Sequence, residues 1–140
     1  MSQEREAVDL SEFVLRRIHK SQFSASPPSR ILRGGFCPNQ QDVTGISVYR
    51  EKDTTAAAVV SAAKRPDECF VVRIPVQSLI ALGLSLTPDD DPDGPPGHYV
   101  IPELRLSEYE DKNKKNLLKD KQEELARIAS DNIVHRPPGG

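Results

Sequence analysis

The chain of 140 residues suits one domain, whose folding buries roughly two thirds of the unfolded surface. Only 36% of residues are hydrophobic and 5% aromatic, and 12 prolines with 8 glycines mark many irregular connections. Net charge is −2 and pI near 5.9, which argues against a surface shaped throughout for nucleic acid. No apolar run reaches the length of a bilayer span, and the N-terminus lacks a basic start followed by an apolar stretch, so a cytoplasmic protein without membrane partners is expected.

Residues 1–10 read as a flexible leader, 11–136 as the single folded domain and 137–140 as a flexible tail. Phe13-Val-Leu-Arg-Arg-Ile-His19 is apolar-rich and compatible with a strand. Ser21 to Thr44 is mostly loop, broken by Pro27-Pro28 and Gly34-Gly35, with one turn of helix or strand possible at Ser29 to Leu32. A connection of that length in a small domain is functional or mobile. Gly45-Ile-Ser-Val-Tyr-Arg50 alternates as a strand, with Ile46 and Val48 on one face and Ser47 and Tyr49 on the other.

Asp53 or Thr54 is the expected cap of a helix over Ala56 to Ala63. Cys69-Phe-Val-Val-Arg-Ile-Pro75 is the clearest strand, with Phe70, Val72 and Ile74 on one face. A short helix follows, with Pro75 near its first position and Gly83 as its left-handed cap. Leu84 to Thr87 and Tyr99 to Ile101 are expected to extend on either side of an acidic loop. An amphipathic helix is expected from about Asp111 to Ser130, with Leu118, Leu125, Ile128 and Ala129 on one stripe. Asn132 to His135 then forms a last strand. The pattern is an α+β domain with a mixed or antiparallel sheet, two or three backing helices and long loops.

Charge is polarised along the chain. From Phe13 to Gln41 there are five bases, Arg16, Arg17, Lys20, Arg30 and Arg33, and no acid. From Thr87 to Asp111 eight acids face the single base Arg105. Such segments either form separate faces or neutralise each other across a cleft. Arg17 and His19 share one side of the first strand. Arg30 and Arg33, beside Gly34-Gly35, are suited to present guanidinium and backbone N–H groups to a phosphate or carboxylate.

The acidic loop opens like a calcium loop, with Asp89, Asp91, Asp93 and Gly94 at the right spacing. Val100 stands where the bidentate glutamate belongs, so a solvated, proline-stiffened loop is the better reading. His19, His98 and His135 sit at strand ends without the local spacing of a zinc site. A single working histidine, His19 or His98, fits better than a metal centre. Cys37 and Cys69 have no C-x-x-C spacing, and no common nucleotide or hydrolase motif is present.

Arg16-Arg17-Ile18-His19, Pro28-Ser29, Phe36, Gly45 to Arg50, Gly97-His98 and Ile133-Val-His135-x-Pro137 together resemble small uncharacterised bacterial proteins. An early Arg or His on a strand, a loop bearing a serine and a strand ending in Tyr-Arg are similar to small ADP-ribosyltransferase-type folds, including the tRNA 2′-phosphotransferase group. That resemblance implies a split, mostly antiparallel sheet holding NAD or an ADP-ribosylated intermediate. It implies Arg17 or His19 as the early basic residue, Ser47 or Tyr49 as the second element and Glu103 as the late acid. In that arrangement Arg17 clamps the pyrophosphate, His19 orients the ribose, Tyr49 stacks on nicotinamide and Glu103 polarises the acceptor. Arg30, Arg33 and His98 are ligand contacts expected from their own chemistry and position. The competing expectation is a non-catalytic module, with the basic segment and the acidic loop and C-terminal helix as surfaces for a protein partner.

Overall fold

Alternating apolar side chains organise the sheet and decide which face each polar residue meets. In the computed structural model, residues 7–89 and 92–139 are described. Part of the expected leader, Asp90 and Asp91 of the calcium-like loop, and Gly140 of the expected tail lie outside the described residues. The chain runs through β1 (Phe13–His19), β2 (Phe23–Ser24), β3 (Arg30–Ile31), β4 (Ile46–Arg50), α1 (Ala56–Ser61) and β5 (Cys69–Pro75). It continues through α2 (Val76–Ala81), β6 (Thr87–Pro88), β7 (His98–Ile101), α3 (Leu106–Glu110), α4 (Lys112–Ser130) and β8 (Ile133–His135).

Six strands form an antiparallel sheet in the order β6-β7-β4-β1-β5-β8, and β2 and β3 make a separate small ribbon. This is an α+β domain, and no helix among the described residues is long and apolar enough to cross a membrane. On one face Val14, Ile18, Ile46, Val48, Phe70, Val72 and Ile74 pack against Leu118, Leu125, Ala126 and Ala129 of α4. On the other, Leu15, Tyr49 and Val71 pack beneath Val59 and Val60 of α1. Period-two alternation in β1, β4 and β5 produces this division.

Several expectations shift by a residue or more. Thr55, rather than Asp53 or Thr54, caps α1 by accepting from the Ala58 amide. The extension expected from Leu84 begins only at Thr87, because the Leu84 amide bonds back to Leu79 O at 2.9 Å and closes α2. Gly83, at φ 77°, supplies the left-handed residue for that closure. The long segment 21–44 contains the β2–β3 ribbon and a 3-10 turn over Arg33–Phe36, which seats Ile31 and Phe36 in the main core. At the start of β4, Gly45 has φ 137°, and a Cβ there would lie 2.4 Å from Ile101 O, so only glycine permits β4 to approach β7 this closely.

One ion pair ties the start of the fold to β4. Arg50, only 3% exposed, reaches Glu12 through Nε–Oε1 at 2.6 Å and Nη2–Oε2 at 2.7 Å. This two-pronged hydrogen bond holds the Glu12 carboxyl at about 2, down from 4.5. A depressed folded-state value stabilises the native protein above the unfolded value, and that contribution disappears as pH falls from 4.5 through about 2. Glu12→Ala is expected to cost about 2 kcal/mol at pH 7, after allowing for solvent screening. Denaturant unfolding followed at several pH values should show a smaller loss of stability between pH 4.5 and 2 in the variant than in the parent.

Candidate anion-binding cleft

The sheet opens beside the second half of β1. That strand pairs with β5 along its whole length, from Phe13↔Pro75 to His19↔Cys69. Its pairing with β4 is confined to Val14↔Arg50 and Leu15↔Tyr49. Arg16 lies between core-facing Val14 and Ile18, where alternation calls for an apolar residue. Its guanidinium crosses the opening instead, with Nε donating to Gly35 O at 2.8 Å and Nη1 to Ser47 O at 2.7 Å. The group also lies 5.6 Å from the centre of the Phe36 ring. Burial pushes the Arg16 guanidinium down to about 10, offset in part by the field of Asp42.

Arg17 points to the opposite face and donates from Nη1 to Val59 O of α1 at 2.7 Å. A cleft of about 370 Å³ follows this part of β1, and among the residues lining it are Arg16, Arg17, His19, Gly34, Gly35 and Cys37. No carboxylate lines it among the described residues. Neither arginine has a carboxylate partner among those residues either. Two cations with no carboxylate at ion-pair distance among the described residues, beside the backbone of two glycines, make this cleft the candidate site for an anion.

The remaining predicted residues fall into separate groups. His19 lines the cleft and holds Glu68 at 3.3 Å, and this hydrogen bond keeps the Glu68 carboxyl below its ordinary range. Arg30 and Arg33 line a neighbouring cavity of about 740 Å³ against α4. Tyr49 is buried under α1, and its ring centre stands 5.2 Å from that of His98, its cross-strand partner. Glu103 lies away from these residues and accepts from the Ser85 amide at 2.8 Å and the Ser85 hydroxyl at 2.7 Å. Arg17 and His19 thus meet at one cleft, whereas Tyr49, His98 and Glu103 do not line it.

His98 Nε2 lies 2.9 Å from Ser47 Oγ, while its Nδ1 faces Asp89 O at 2.5 Å. The imidazole is therefore held on both sides, with Ser47 as the hydroxyl partner. Its side chain is 12% exposed, so the pair is largely covered. No group of three or more metal-ligating side chains occurs among the described residues. Of the two thiols lining the cleft, Cys37 lies 3.2 Å from Tyr109 Oη, and burial raises the pKa of Cys69.

Comparison with protein-family models, curated proteins and solved structures yields no match. The site is therefore defined by its own geometry. Arg16 joins the sequence-derived candidates, and its signal was a charged residue at a core-facing strand position. Arg16→Met is expected to destabilise the fold by about 2 kcal/mol in urea unfolding, since it leaves the Gly35 and Ser47 carbonyls without their donor. Arg17→Ala should stay within about 1 kcal/mol of the parent in the same measurement, because Arg17 makes a single hydrogen bond to Val59 O.

Proposed function

We propose that this domain binds a small phosphate-bearing ligand of the nucleotide type in the cleft beside β1. The observation that carries the reading is that Arg16 and Arg17, which leave β1 on opposite faces, both line a cleft with no carboxylate among the described residues. A guanidinium withdrawn from water without a counter-ion is poorly solvated, and an incoming phosphate oxygen restores what burial removed. Arg16 is largely fixed by Gly35 and Ser47, so its role is to supply charge from the floor. Arg17 spends one N–H on Val59 O and keeps further donors for a ligand. His19 and the backbone of Gly34-Gly35 complete the rim.

The reading is one of binding. An ADP-ribosyltransferase-like reaction calls for a carboxylate at the acceptor, and Glu103 is engaged with Ser85. Glu68 meets His19, but is also drawn toward Lys20 at 3.6 Å and Arg65 at 3.7 Å.

The test is a thermal-shift series with inorganic phosphate, pyrophosphate, ADP-ribose and NAD. A ligand at 100 times its Kd stabilises the native state by about 2.7 kcal/mol, a rise of about 8 °C for a domain of this size. Arg17→Ala should abolish the rise while moving the midpoint of the unliganded protein by no more than about 3 °C. Absence of any shift at millimolar concentration of all four compounds removes the proposal.

A further inference from the structure

The cleft has a larger neighbour, and the two share part of their lining. Gln22 and Gly34 belong to both. The Gln22 side chain lies across Gly34 so closely that a Cβ there would stand 2.1 Å from Gln22 Oε1. The shared wall therefore includes a flexible side chain laid over a residue that has none. Gln22 and Gly34 thus form part of the boundary between the two spaces.

The two compartments differ in chemistry. The smaller one offers cations and no carboxylate. The larger, about 740 Å³ between the β3 region and α4, is lined by Arg30, Arg33 and Arg127 but also by Glu123 and Asp131, together with Ser29 and Ser130. Arg127 pairs with Glu124, whereas Arg30, Arg33, Glu123 and Asp131 have no ion-pair partner among the described residues. Glu123 and Asp131 oppose a second phosphate, whereas carboxylates and guanidinium groups together match a neutral body that both donates and accepts hydrogen bonds. Both volumes lie in the range of small-molecule sites.

We propose that the two spaces form one bipartite site for a phosphate ester. Its phosphate lies at Arg16 and Arg17, and its uncharged hydroxyl-bearing body lies between β3 and α4. This rests on the phosphate-binding reading above and extends it by assigning the second compartment and the class of body it accepts. Nucleoside monophosphates and sugar phosphates share that chemistry.

Isothermal titration of the full chain with inorganic phosphate, ribose 5-phosphate and AMP tests the proposal. At least one ester is expected to bind tenfold or more tightly than phosphate, and a preference between the esters identifies the body. The double variant Glu123→Gln, Asp131→Asn should weaken binding of the preferred ester and reduce this advantage to less than threefold, while the affinity for inorganic phosphate does not fall. Esters binding no better than phosphate, or an advantage that survives the double variant, overturn the bipartite site and leave the phosphate cleft standing. Failure of phosphate and both esters to bind overturns both. Equal binding of phosphate to the parent and to Arg17→Ala places the anion elsewhere and also overturns both.

Discussion

A charged side chain at a core-facing position of the central strand constrains much of this fold. Arg16 follows Val14 and precedes Ile18 on the face covered by α4. A guanidinium there needs acceptors, because an unpaired buried donor costs about 1–3 kcal/mol. It finds them in Ser47 O, beyond the short β1–β4 pairing, and in Gly35 O, on the turn that seats Phe36 in the core. One residue thereby couples β1, β4 and the long connection between them. The hydrogen bonds explain how an arginine is retained there, and the same withdrawal from water leaves its charge available to an anion.

The strands and the long helix were legible because their signals are local. Alternation marks β1, β4 and β5, and an apolar stripe with Asp111 at its head marks α4, whose cap accepts from the Asn113 and Lys114 amides. The segment 21–44 was less legible, since β2 and β3 are two residues each and their order depends on distant partners. The Ile31 amide, for example, donates to Ser130 Oγ, 99 positions away. At the site, Arg17 and His19 were recoverable from alternation. Arg16 carries the signal of a charge at a core-facing position, but its acceptors are not legible, because the sequence does not show where β1 and β4 part.

The polarity of charge along the chain resolves differently from a simple neutralisation across a cleft. Glu103 holds Ser85, Glu108 meets Arg105 and Lys114, Asp111 caps α4 and Asp89 faces His98. These acids are used within their own segment or by the adjoining helix and strand. Among the described residues none of them pairs with Arg16, Arg17, Arg30 or Arg33. The histidine at the end of the acidic loop lies between Asp89 of its own segment and Ser47 of the neighbouring strand β4. Within the basic segment Lys20 meets Glu68, whereas Arg16 and Arg17 donate to backbone carbonyls.

The thiols sharpen the distinction between holding a ligand and reacting with it. A cysteine near two arginines is a natural candidate nucleophile, since positive charge favours thiolate. At Cys69 desolvation is the larger effect and outweighs the field of Arg17, so the thiol is raised above its ordinary value. The Cys69 Sγ also directs its weak donor to Arg65 O at 3.5 Å. Near neutral pH the sulfur is a protonated, buried part of the wall. The fixed positive charge of the cleft belongs to Arg16 and Arg17, and the buried Cys69 adds no thiolate beside them near neutral pH.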